Sequence, residues 1–260
     1  MPHKHDPPPQ KVVPFECSDK RIEEKWTPER AKDLANFPYP FRMLLLGPPG
    51  GGKSTLLKNI VIHQRPRFQE VYVIHEDHSD DPEAPGTTEY DDLDATMILN
   101  EVPNLKFWNE RCADDEGGPP VKRLVILDDL EMKGAERLKN LQTLFRYVSS
   151  HKNFSLGMAH QNFFGLEPVI KKCSNIFVVW RPRDRDEIGR IEKRVGLDKG
   201  ALKDIFDAVA PNDYDSICVD HTRNSPAPLR LNLWTPIEVL PDGGAAHGLM
   251  TIVSTLSKDI

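Results

Sequence analysis

The run Gly47-Pro48-Pro49-Gly50-Gly51-Gly52-Lys53-Ser54 constrains this chain more than any other part of it. Glycine's conformational freedom and proline's missing N–H both oppose a regular ladder, so the run cannot be the interior of a helix or strand. Its flanks are regular. Phe41 to Leu46 reads as a short strand, and Lys53 to Gln64 carries apolar residues at helical spacing. A strand, a glycine-rich turn and a helix in immediate succession present backbone amides and the positive end of a helix dipole to an anion. The pattern GxxxxGK[ST] in that position predicts a phosphate cradle formed by Gly47, Pro48, Pro49, Gly50, Gly51, Gly52, Lys53, Ser54 and Thr55. Lys53 is then expected at the β- and γ-phosphates of a nucleotide, and the Ser54 hydroxyl on Mg2+.

A second strand-like run, Leu124-Val125-Ile126-Leu127, ends in Asp128-Asp129. A buried strand carries such acids to the carboxyl edge of a parallel sheet, where the cradle also lies and where ligands bind. Asp128 is expected to hold Mg2+, and Asp129 to orient or deprotonate an attacking water. A second acid beside the magnesium ligand favours hydrolysis over phosphate transfer to an acceptor. Ser155 to Ala159 reads as a further strand, followed by His160-Gln161, and the Gln161 amide is placed to sense water and γ-phosphate.

Val71 to Ile74 and Ile176 to Trp180 complete five short strands, with helical periodicity in Ala135 to His151 and Arg183 to Val195. Strands alternating with helices predict an α/β fold with a mostly parallel central sheet flanked by helices. Tyr214 to Val219 and Leu229 to Trp234 are expected to add a strand pair. Residues 1–36 read as a Pro-rich arm, disordered over its first ten residues, with a short helix over Ile22 to Leu34 capped at Thr27-Pro28. Residues 37–240 read as the catalytic domain, and 241–260, opening with Pro-Asp-Gly-Gly, as a linker and tail.

The longest apolar run, Ile176 to Trp180, is far short of the roughly 20 residues that cross a bilayer, so no membrane-spanning segment is expected. The cysteines, at 17, 112, 173 and 218, form no CxxC pair and read as free thiols. The net charge of −6 opposes nucleic-acid binding only until its distribution is considered. Between His75 and Glu101 there are ten acids and no Lys or Arg, so the remainder of the chain carries +4. That acidic stretch is expected to be a long excursion with a partial helix.

Four segments together resemble the viral DNA-packaging ATPases of the FtsK/HerA superfamily, the poxvirus-type group. They are the loop GPPGGGKST, the strand LVILDDL, the segment Ser155 to Phe164 with its Gln161, and Leu166-Glu167-Pro168 to Asn175 leading into the next strand. The resemblance spans roughly Phe41 to Trp234. It implies a P-loop NTPase of RecA/FtsK-like fold that uses ATP and Mg2+, with Lys53, Asp129 and Gln161 catalytic and Ser54 and Asp128 on the metal. It further implies double-stranded DNA as partner, a homo-oligomeric ring of five or six subunits, a capsid or portal-vertex protein, and genome packaging at a cytoplasmic or nuclear assembly site of a host cell, or retention in the virion. Lys171 stands where the family commonly has an arginine acting across a subunit boundary. Lysine lacks the planar fork that bridges phosphate oxygens, so Arg181, Arg183 and Arg185 are alternatives for that role. Two other readings stand beside the motor: a nucleotide-gated capsid-assembly protein with little turnover, and a P-loop small-molecule or nucleotide kinase.

Overall fold

The computed structural model describes residues 23–76, 93, 95–113, 121–241 and 250–254. The parallel part of the sheet is built from β1 (Arg42–Leu46), β2 (Glu70–His75), β3 (Met97–Leu99), β4 (Arg123–Asp128), β5 (Phe154–His160) and β6 (Ile176–Trp180). Four strands follow antiparallel: β7 (Ser216–Asp220), β8 (Leu229–Leu231), β9 (Thr235–Pro241) and β10 (Met250–Ser254). The order across the sheet is β10-β9-β8-β7-β6-β1-β5-β4-β2-β3, so β1, which feeds the glycine-rich loop, sits between β5 and β6 near the middle.

Alternation of side chains along each strand divides the core into two layers. Met43, Leu45, Val71, Val73, Leu124, Ile126, Ile176 and Val178 face α1 (Lys53–His63), packing with Leu56, Leu57 and Ile60. Leu44, Leu46, Tyr72, Ile74, Val125, Leu127, Leu156, Met158, Phe177 and Val179 form the opposite layer. There they meet α2 (Leu105–Arg111), α3 (Ala135–Thr143), α5 (Pro168–Cys173), α6 (Arg185–Val195) and α7 (Ala201–Val209). Strands covered on both faces are apolar in their interiors: β4 and β6 are buried at every position, and the two charged residues of β4, Arg123 and Asp128, stand at its ends. Gly157 belongs to the first layer: a Cβ there would lie 2.8 Å from Leu57 Cδ2, so its absence lets α1 lie close on β5.

The helical periodicity of Ala135 to His151 is one continuous helical segment, but it passes from α3 through a π-helical stretch, Leu144–Val148, into α4 (Ser149–His151). The expected helix over Ile22 to Leu34 is replaced, among the described residues, by a single 3-10 turn at Arg30–Lys32. The reason is tertiary. Trp26 Nε1 donates to Thr222 Oγ1 at 2.7 Å, Glu24 N donates to Tyr39 O at 2.8 Å, and Arg30 Nη1 donates to Phe37 O at 2.8 Å, bonds that hold residues 23–29 outside a helix. Leu34, Ala35 and Phe37 are buried.

In the acidic stretch, Met97–Leu99 is the edge strand β3 beside β2. The partial helix expected within it lies mostly outside the described residues. The first ten residues of the expected arm also lie outside the described residues, as do residues 242–249. No helix of the described residues is long and apolar enough to cross a membrane. Among the described cysteines, Cys112, Cys173 and Cys218 form no disulfide, and burial pushes the pKa of the Cys218 thiol up to about 12.

Candidate active site

The carboxyl ends of β1, β4, β5 and β6 lie at one edge of the sheet because these strands run parallel in register, with Leu46 opposite both His160 and Val179, and Leu127 opposite Met158. The chain leaves β1 at Gly47, whose N–H donates to His160 O at 3.3 Å. Gly47 is required by proximity: a Cβ there would sit 2.8 Å from Trp180 Cβ. Gly50 at φ 72° and Gly52 at φ 89° supply the left-handed turns that bring the loop round into the N-terminus of α1.

Lys53, only 6% exposed, turns back over the loop and donates from Nζ to the Gly47 and Pro48 carbonyls, each at 3.0 Å. Its ammonium is thereby held at the mouth of the cradle, where phosphate oxygens would replace or join those carbonyls as acceptors. Ser54 Oγ donates to Asp128 Oδ2 at 2.7 Å, and Asp128 is 2% exposed. One hydroxyl and one carboxylate are the hard oxygen donors that Mg2+ takes from a protein when water and phosphate supply the rest. Among the described residues no group of three or more His, Cys, Asp or Glu side chains could hold a metal by itself. Ser54 and Asp128 would thus hold a Mg2+ ion only together with ligands from water and a bound nucleotide.

Asp129 is exposed and adopts φ 48°, turning its carboxylate away from the strand and toward Gln161, whose Nε2 donates to Asp129 Oδ1 at 3.4 Å. The two residues assigned to water and to sensing thus meet beside the loop. After β5, Phe163 N donates to Glu187 Oε1 at 2.6 Å, tying the segment that follows Gln161 to α6.

The basic candidates separate. Lys171, on α5, donates from Nζ to Phe163 O at 3.1 Å and lies 4.7 Å over the Phe163 ring. Burial, with Arg190 and Arg194 nearby, lowers its pKa below the ordinary lysine value. Arg181 pairs with Asp207 Oδ1 at 2.6 Å and sits over Phe206. Arg185 opens α6 and is exposed. Arg183 is exposed and makes no hydrogen bond or ion pair among the described residues, and it lines a cleft of about 380 Å³ with Gly47, Pro48, Pro49, Gln161 and Trp180. Among the described residues Arg183 lines the cleft beside the loop without a hydrogen bond or ion pair, whereas Lys171 and Arg181 are engaged elsewhere.

Sequence reading does not single out Trp180 or Glu187. Trp180 donates from Nε1 to Tyr214 O at 3.2 Å, and its ring backs the loop at Gly47 and Gly51. Its only sequence mark is its place as the last residue of an apolar strand. Glu187 sits among the charges of α6 and nothing local distinguishes it.

No protein-family model and no curated protein matches the chain. Solved structures do. The DNA-packaging ATPase B204 of Sulfolobus turreted icosahedral virus aligns with a TM-score of 0.52 at 16% identity, covering 77% of this chain and 100% of its own. The genome-packaging NTPase B204 of Sulfolobus turreted icosahedral virus 2, in complex with sulfate, gives a TM-score of 0.50 at 16% identity over 78% of this chain and 99% of its own. At such identity the likeness is one of fold: an α/β P-loop NTPase sheet flanked by helices, as in these packaging enzymes.

Proposed function

We propose that the chain is an ATP-driven motor that moves double-stranded DNA into a preformed viral capsid, hydrolysing ATP with Mg2+ between subunits of a homo-oligomeric ring of five or six. The observation that carries this reading is the convergence of Ser54, Asp128, Asp129 and Gln161 at the mouth of the glycine-rich loop. The fold shared with viral packaging enzymes supports it.

The loop amides and Lys53 bind and orient the β- and γ-phosphates. Ser54 and Asp128 hold Mg2+, which when bound neutralises charge on the phosphate oxygens. Asp129 takes a proton from water directed at the γ-phosphorus, and Gln161 positions that water while bonded to Asp129. Arg183 from the cleft wall or a neighbouring subunit compensates charge at the transferring phosphoryl group. No acceptor other than water is required, which separates this reading from a kinase. The ring would seat on a capsid or portal-vertex protein, at an assembly site in the host cytoplasm or nucleus.

ATP turnover by the purified chain, with and without linear duplex DNA, tests the reading, with Lys53→Ala as the blank. We expect hydrolysis that rises with DNA and vanishes in Lys53→Ala. Tight nucleotide binding without turnover under either condition would sink the motor and favour a nucleotide-gated assembly protein.

A further inference from the structure

The opposite edge of the sheet carries a second polar cavity. The amino ends of β1, β5 and β6 and the end of antiparallel β7 converge there, so that Arg42, Asn153, Asn175 and His221 become neighbours. They line a cavity of about 430 Å³ together with Ser149, Ser150 and the exposed Lys25 and Arg223. Its backbone frame is fixed: Arg42 N donates to Asn175 Oδ1 at 2.8 Å, Asn175 N to Arg42 O at 2.9 Å, and His221 N to Asn175 O at 2.8 Å.

Arg42 is the anomaly. Its guanidinium lacks a carboxylate partner among the described residues. Nη1 donates to Ser149 Oγ at 3.3 Å and Ser150 Oγ at 3.1 Å, while Nε is buried and has no acceptor. Ser149 Oγ in turn donates to Phe145 O at 2.8 Å, within the π-helical stretch, so the serine that meets Arg42 is held by an unusual local backbone of the kind often found at functional sites. Burial depresses the arginine's pKa below its ordinary value, with Cys173 opposing the shift. Arginine does not deprotonate in proteins, and a partly buried cation without a counter-charge carries a desolvation cost. Among the described residues no acceptor meets Nε or Nη2, the pair of nitrogens with which a guanidinium can grip an oxyanion by two parallel bonds.

The remaining charges point the same way. Lys25, Arg223 and His221 are all exposed at the rim. Of the two acids lining the cavity, Glu24 is occupied by Arg30 at 2.5 Å and by Lys122, which leaves Glu23 at the exposed surface.

We propose that this cavity is a second anion site, distinct from the glycine-rich loop, that binds a phosphate group on Arg42 with Arg223, Lys25 and His221 around it. Ser150 and the side-chain amides of Asn153 and Asn175 give the site polar groups suited to the remaining phosphate oxygens. The phosphate can be free or the terminus of a nucleoside monophosphate, and the cavity volume admits either. The proposal does not depend on the motor reading.

Equilibrium dialysis of the full chain against labelled inorganic phosphate, and separately against AMP, tests it in four proteins: wild type, Lys53→Ala, Arg42→Gln, and the double surface variant Lys25→Gln/Arg223→Gln. The expected result is a phosphate site that survives in Lys53→Ala and weakens roughly ten- to a hundredfold in Arg42→Gln, the loss expected of a charge-assisted contact. The surface double variant, which should fold normally whatever happens to Arg42→Gln, is expected to weaken it several-fold. Equal affinity for phosphate and AMP identifies free phosphate as the ligand, and at least tenfold preference for AMP identifies a monophosphate. No binding in Lys53→Ala, or binding there that neither the Arg42→Gln change nor the surface double change reduces, would overturn the proposal.

Discussion

Asp128 and Asp129 are neighbours in sequence and opposite in environment. Asp128 ends β4, is buried, and accepts from Ser54 at 2.7 Å. One residue later the backbone enters the left-handed region at φ 48°, and Asp129 emerges exposed against Gln161. Asp and Asn tolerate that conformation better than most residues, since a short polar side chain offsets the crowding of Cβ. This makes Asp129→Asn a clean probe: it keeps the shape and the backbone preference and removes the basic carboxylate. Turnover is expected to fall about 10²- to 10⁴-fold, the range of a lost general base, with nucleotide affinity unchanged. Steady-state hydrolysis alongside equilibrium binding of an ATP analogue checks both halves. Near-normal turnover in Asp129→Asn would remove it from the chemistry and leave it a turn residue.

The elements most legible in the sequence are those buried on both faces. β1, β4, β5 and β6 read as strands because their interiors are apolar or small, with Arg42, Arg123, Asp128 and His160 confined to strand ends. The loop and α1 were legible because their glycines and lysine serve one local geometry. What long-range contacts decide was not legible. Residues 23–29 have helix-compatible composition but are held out of a helix by Tyr39, Phe37 and Thr222. The π-helical stretch looks like ordinary α periodicity, and Arg42 looks like a polar residue opening a strand until Ser149, Ser150, Asn175 and His221 are brought to it. Arg230 in β8 is a further case. Its sequence neighbours Leu229 and Leu231 give no hint that its side chain is wholly buried, donating to Ala227 O at 2.7 Å and Leu34 O at 2.6 Å and pairing with the equally buried Asp220 of β7. Removing one member of a buried pair strands the other charge, so Arg230→Met and Asp220→Ala should each cost about 3–5 kcal/mol. The double change should cost less than the two together, because the stranded charge is gone. Urea denaturation of the three proteins measures this, and single losses below about 1 kcal/mol, the level of an exposed pair, would mean the pair is not buried in solution.

At the scale of the whole molecule the sheet separates two chemistries: the glycine-rich loop at the carboxyl edge of its parallel strands, and the Arg42 cavity at the amino edge. The charge is divided as well. Of the ten acids between His75 and Glu101, two of the described ones, Glu76 and Glu101, clamp Arg137 at the start of α3, and the rest of the chain is left with a net +4. In the proposed ring, that modest net charge would suit DNA contact that is weak for one subunit and multiplied across subunits. A ring also bears on Arg183, which lies exposed on the wall of its own cleft without a partner. If it completes a neighbour's loop, Arg183→Ala and Lys53→Ala should each be inactive alone for different reasons, the first lacking the donated cation and the second its own cradle. Mixed, a Lys53→Ala subunit can lend its intact Arg183 to the sound loop of an Arg183→Ala neighbour. We therefore expect the mixture to turn over ATP at least about tenfold faster than either variant, a fraction of the roughly 10³–10⁵ that a trans-acting arginine supplies. Turnover measured across mixing ratios, at concentrations where the chain self-associates, reads this directly. A mixture as silent as its components would assign Arg183 to its own loop, and a fully active Arg183→Ala would remove it from catalysis and return Lys171 and Arg185 to consideration.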